Sequence, residues 1–128
     1  MNGATLRIVA SSILFGLAFQ SAQAQAAAEQ GLKIIASREL GNCISCHSLA
    51  GLKEAGRQGN FGPPLDGVGA RYSAERLRQW VVDPRQFKPD TLMPPFGSIN
   101  GLQRPNQARP LLSPEQIDQV TAALAASR

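Results

Sequence analysis

The stretch Gly41-Asn42-Cys43-Ile44-Ser45-Cys46-His47 holds both cysteines and the only histidine of the 128-residue chain. Two thiols three positions apart, with an imidazole next in line, form the spacing of c-type haem attachment. On a helical turn the two sulfurs project from neighbouring positions, so each can join a haem vinyl group through a thioether, and the imidazole can reach the iron. Competing chemistries fail on counting. A structural zinc site takes four ligands, and the chain offers only three donors of the right kind. A thioredoxin-like pair opens a helix after a strand, and no strand pattern precedes Cys43.

An iron held by His47 needs a second axial ligand or keeps an open position, and that choice separates electron transfer from ligand or substrate chemistry. No second histidine exists. Of the two methionines, Met1 lies in the leader described below, which leaves Met93 in Thr91-Leu92-Met93-Pro94-Pro95-Phe96. A loop methionine is ordinarily a packing residue; beside a haem it becomes the candidate axial ligand, and the flanking prolines would hold its thioether in place. His/Met ligation leaves no vacant site, raises the potential and suits one-electron transfer. No catalytic residue is therefore expected, and a small peroxidase, which needs a distal His or Arg, is disfavoured. The Pro63 carbonyl in Gly62-Pro63-Pro64-Leu65 is the candidate acceptor for the other ring N–H of His47, although two adjacent prolines also simply shape a turn. Trp80 suits a haem propionate and an ordinary core position equally well.

Three helical segments must position these groups. In the first, Leu32, Ile35, Ala36 and Leu40 make an apolar stripe, with Gly41 expected as its stop. The second starts at Ser73 as N-cap, carries Leu77, Trp80 and Val81 on one face, and ends at Asp83-Pro84. The third opens with Ser113, Pro114 and Gln116 in a capping-box arrangement and continues with Ile117, Val120 and Leu124. Between them, residues 56–69 and 84–110 are rich in Gly and Pro, and no segment alternates as a strand would. The expectation is an all-α domain with long loops that wrap a ligand.

Residues 1–24 read as a cleaved secretory leader. Arg7 supplies the charged start, Ile8 to Phe19 an apolar run, and Ala22-Gln23-Ala24 the cleavage site, with Ala26 as the second choice. The run is shorter than the roughly 20 apolar residues a bilayer span needs. Cleavage leaves one domain over residues 25–128, exported from the cytoplasm. Its core is modest at this size, so a buried prosthetic group would fill a real deficit. The net charge of +4 falls by one with Arg7, and the basic residues are scattered without aromatic interleaving, which disfavours nucleic acid. A solvated surface is the default reading of that charge, and a basic docking face for an acidic protein is the alternative.

In this order, the helix, CxxCH, Gly-Pro-x-Leu loop, middle helix, methionine loop and C-terminal helix resemble class I cytochrome c over residues 29 to 126. More narrowly, the chain is similar to the SoxX family, the small monohaem subunits of periplasmic SoxAX complexes. The resemblance rests on GNCISCHSLAG at 41–51, GPPLDGVGARYSAERLRQWVVD at 62–83, DTLMPPFGSINGLQR at 90–104 and PLLSPEQIDQV at 110–120. It implies one covalent haem c on Cys43 and Cys46, with His47 and Met93 as axial ligands. It also implies a SoxA partner, thiosulfate joined oxidatively to a cysteine of the carrier SoxYZ, and electrons handed to a downstream cytochrome c. Since haem would consume both cysteines, any thiol chemistry belongs to a partner chain. One departure stands out: the last helix is Ala-rich, where a bulkier aromatic face would grip the first helix more firmly. The rival reading is a free-standing soluble cytochrome c that shuttles electrons between unrelated partners.

Overall fold

The computed structural model describes residues 3–101 and 109–128, with side chains described from residue 20 onward. Those residues form the α-helices α1 (Gly3–Ala36), α2 (Val68–Arg71), α3 (Ala74–Val82) and α4 (Pro114–Ala126), joined by loops that include short 3-10 turns. Among the described residues there is no strand, as expected, and no helix is long and apolar enough to cross a membrane. The Leu102 to Arg104 part of the Gly-Leu-x-Arg stretch lies outside the described residues.

Both predicted caps are present. The Ser73 hydroxyl accepts the Arg76 N–H at the start of α3. At α4, the Ser113 hydroxyl accepts from the Gln116 backbone N–H while the Gln116 side chain accepts from the Ser113 N–H at 2.9 Å, completing the capping box with Pro114 at the first position. Asp83 ends α3 and its carboxylate caps the next turn, Pro84–Gln86.

The end of α1 differs from the sequence expectation. The helix stops at Ala36 rather than Gly41, and Leu40 is 41 % exposed instead of completing the stripe. The backbone N–H of Gly41 turns back to donate to the Ile34 carbonyl, and that of Asn42 donates to Ser37, so these end carbonyls are satisfied by a reversal of the chain. That reversal brings Cys43 back under α1, whereas a continued helix would carry it away. The buried pair on α1 is accordingly Ile34 and Ile35.

The largest contact between elements is that of α1 with α4, and here the Ala-rich sequence of α4 proves functional for packing. A Cβ placed on Gly31 would sit 2.0 Å from the Gln119 carbonyl oxygen and 2.8 Å from the Ala123 Cβ. The two helices thus cross backbone to backbone, and a bulkier face would force them apart. The expected weakness is corrected: small side chains at Gly31 and Ala123 are what permit the close crossing. Ile35, Val120, Ile117, Leu124 and Leu112 then close a continuous core with Leu77 and Val81 of α3. Ser127, just beyond α4, donates its hydroxyl to the Leu65 carbonyl and accepts the Gly67 N–H, fastening the Pro-Pro-Leu loop to the C-terminus.

Candidate haem site

Cys43, His47 and Met93 line one cleft, although Met93 is 46 residues away from His47 in sequence. The cleft offers about 360 Å³, counting its mouth, and its walls are almost wholly apolar. Ile35 comes from α1, Val81 from α3, Val120 and Leu124 from α4, and Leu65, Phe96 and Leu112 from the loops. Such a lining suits the faces of a porphyrin, and low polarity around an iron is one of the means by which proteins raise its potential. Cys46 does not line the cleft; it is exposed at its edge, its sulfur 3.7 Å from the Ser45 hydroxyl.

The predicted partner of His47 is in place. Its Nδ1 lies 2.7 Å from the Pro63 carbonyl oxygen. A carbonyl can only accept, so Nδ1 carries the proton and Nε2 keeps its lone pair free to bind a metal. Gly62 adds a contact the sequence reading missed. A Cβ there would stand 2.4 Å from Cε1, 2.6 Å from Nδ1 and 2.8 Å from Nε2 of the ring, so this residue packs directly on the imidazole and only a glycine leaves room for it.

The ring is held because its whole segment is held. Residues 58–66 run alongside the cysteine segment as a strap, Gly59 donating to the Ile44 carbonyl, Gly62 to Cys46 and Leu65 to Ser48. At the strap's start the Gln58 side chain accepts from the Leu49 N–H at 2.7 Å and donates to the Leu49 carbonyl at 3.0 Å, pairing with it as a strand residue would. Further along, Asp66 accepts the Ala50 N–H at 2.9 Å. Nothing in the local pattern marks Gln58 for this role, since its partner lies nine residues upstream.

On the other side of the cleft the methionine loop is tied down at three points. Phe96 and Gly97 donate to the carbonyls of Val81 and Val82 at the end of α3, and Leu112 donates to Phe96. Within the loop, the Met93 N–H donates to the Thr91 hydroxyl at 3.2 Å. Trp80 does not line the cleft. Its ring stacks at 5.1 Å on Phe87, which also carries the Arg76 guanidinium 3.5 Å above its centroid, so of its two readings the packing one describes its surroundings here.

No disulfide joins Cys43 and Cys46. Burial pushes the Cys43 thiol up to about 11, the opposite of the depressed value that activates thioredoxin-like cysteines. A cysteine pair at the cleft, an imidazole with Nε2 free and apolar walls fit a covalently bound haem.

A sequence model of the cytochrome c family matches residues 28–125. The chain belongs to the cytochrome c family. Among solved structures, this cytochrome is similar to SoxXA from P. pantotrophus, with 32% sequence identity, a TM-score of 0.73 and coverage of 77% of this chain and 79% of that one. No curated protein matches it. The cytochrome is thus a SoxX-like, class I, monohaem protein whose cofactor is a covalently bound haem c.

Proposed function

We propose that this cytochrome is the electron-accepting subunit of a SoxAX complex, an L-cysteine S-thiosulfotransferase that oxidatively links thiosulfate to a cysteine of SoxYZ. The observation that carries the reading is the one apolar cleft that Cys43, His47 and Met93 line together; the similarity to SoxXA supports the choice of complex. In this reading Cys43 and Cys46 hold the haem by thioethers, His47 and Met93 are the axial ligands, and the Pro63 carbonyl orients His47. The haem supplies a one-electron couple. The chain's own residues fix the imidazole by the Nδ1–H to Pro63 bond, exclude water with Ile35, Val81 and Leu124, and hold the methionine loop against the end of α3.

SoxA is the proposed partner, SoxYZ the carrier on which the sulfur chemistry occurs, and a downstream cytochrome c the acceptor. Residues 1–24 are proposed as the cleaved leader and residues 25–128 as the periplasmic domain. The absence of any cysteine beyond the haem pair supports a division of labour in which the partner carries the sulfur.

Co-purification from the periplasm, haem staining on a denaturing gel and a thiosulfate-dependent haem reduction assay test this together. The expected result is a stained band near the mass of residues 25–128, bound to a second cytochrome and reduced only in its presence. A stained band that runs alone and is reduced by generic donors would make the protein a free electron carrier instead.

A further inference from the structure

A second cleft, of about 560 Å³ counting its mouth, opens beside the cysteine arch and shares no lining residue with the haem cleft. Arg38 from the turn after α1, Arg57 from the loop before the strap, and Asn42, Ile44 and Ser45 from the arch itself face it. No carboxylate lines it. Among the described residues neither arginine has an ion-pair partner: the ion pairs there are Arg78 with Asp118 and Arg85 with Asp83. The acids nearest in sequence are turned to other uses or away. Glu39 accepts from the Ser37 hydroxyl, and Glu54 does not reach the cleft.

Two arginines lining one polar hollow place positive charge there with no acid beside it, and a doubly charged anion entering the hollow would be drawn to that charge. Guanidinium is planar, permanently charged and forked, which matches oxygen pairs on sulfate-like ions. The Asn42 side-chain amide, which makes no capping bond, adds neutral N–H donors. We propose that the Arg38/Arg57 cleft binds a free, doubly charged tetrahedral oxyanion of the sulfate or thiosulfate class.

Because Asn42, Ile44 and Ser45 interleave with Cys43 and Cys46, a bound dianion sits against the same arch that carries the haem. Negative charge there favours ferric over ferrous iron, so occupancy lowers the midpoint potential. By linkage the oxidised protein binds the anion severalfold more tightly than the reduced one. The anion load of the medium thereby sets how readily this cytochrome accepts electrons. The site stands on the cleft and the haem attachment alone, so failure to form a SoxAX complex leaves it untouched.

The test uses the holoprotein and sodium sulfate, which is redox-inert, against sodium chloride at matched ionic strength. The expected result is a saturable fall in midpoint potential with sulfate only, together with amide shifts at Asn42 and Ser45 in the NMR spectrum of the reduced protein. Arg38→Gln and Arg57→Gln, both at exposed positions, should each weaken binding about tenfold or more with melting temperature unchanged, and the double substitution should abolish the response. Equal shifts with chloride, or a sulfate response that survives in the double variant, would overturn the proposal. A shift that appears only when an acidic protein partner is added would also overturn it, since the donors would then be serving a partner's carboxylate.

Discussion

Gly62 and His47 show how little freedom the site leaves at the scale of single residues. Replacing Gly62 with Ala puts a methyl within 2.8 Å of three ring atoms, and neither the ring nor the strap can yield without stretching the bond to Pro63. Gly62→Ala is expected to cost about 1–3 kcal/mol and to alter the axial-ligand NMR and optical signature while haem stays attached; Gly51→Ala, with nothing within 4 Å of its added Cβ, serves as the silent control. With the proposed attachment through Cys43 and Cys46 and Met93 as the proposed axial ligand, Met93→Ala should likewise retain haem but open the sixth position and lower the potential. Unchanged optical spectra and potential in that variant would remove Met93 from the iron. Residue type and motif singled out His47, Met93 and Pro63 as candidates, and the structure brings His47 and Met93 to one cleft and the Pro63 carbonyl to His47. Gly62 stood in the quoted Gly-Pro-x-Leu stretch, yet its contact with the ring could not be read there, since nothing in a sequence shows which face of a turn meets which side chain.

Among the elements, the caps are the features most directly written in the chain. Ser113→Ala removes the hydroxyl that holds the Gln116 N–H and should cost about 1 kcal/mol, measured as a lowered melting temperature with the haem spectrum unchanged. The Asp83 carboxylate joins α3 to the next turn and pairs with Arg85 at 2.6 Å. The Arg85 guanidinium holds that carboxyl below the usual aspartate range. A depressed folded value means stability that is present above the ordinary aspartate value of about 4 and lost as pH falls through the lower folded value. Asp83→Asn, which keeps the capping oxygen, should therefore melt earlier than the parent near neutral pH and converge with it in strong acid; a gap that persists in acid would assign the effect to packing. The end of α1 was the element least legible in sequence. The apolar period continues to Leu40, but the turn-back bonds at Ile34 and Ser37 end the helix sooner, and those bonds depend on where the cysteine segment must go.

For the molecule as a whole, the haem cleft is where the hydrophobic core is left open. Ile35, Val81, Leu112, Val120 and Leu124 face both the helix packing and the cleft. Each buried aliphatic side chain of this kind contributes about 1.5–3 kcal/mol when its surface is covered, so a chain that cannot hold haem lacks part of its core. The double variant Cys43→Ala/Cys46→Ala is expected to keep helical far-UV dichroism but lose near-UV dichroism and a cooperative melt. Full cooperative folding without haem would show that the α1–α4 crossing suffices on its own. Exposed ion pairs such as Arg78 with Asp118 contribute little to this balance; the crossing at Gly31 and Ala123 contributes more because it brings two backbones into contact.

The sequence by itself determined the haem chemistry, the absence of strands among the described residues and the start of each capped helix. Those properties rest on covalent spacing and on neighbours three or four residues apart, which any reader of the chain can count. Only the tertiary structure decided that Met93 shares a cleft with His47, that Gln58 and the strap hold the cysteine arch, that Gly31 lets α1 and α4 cross closely, and that Arg38 and Arg57 face one hollow. These are meetings between segments far apart along the chain, set by how the helices cross and where the loops are tied, and no local periodicity encodes them.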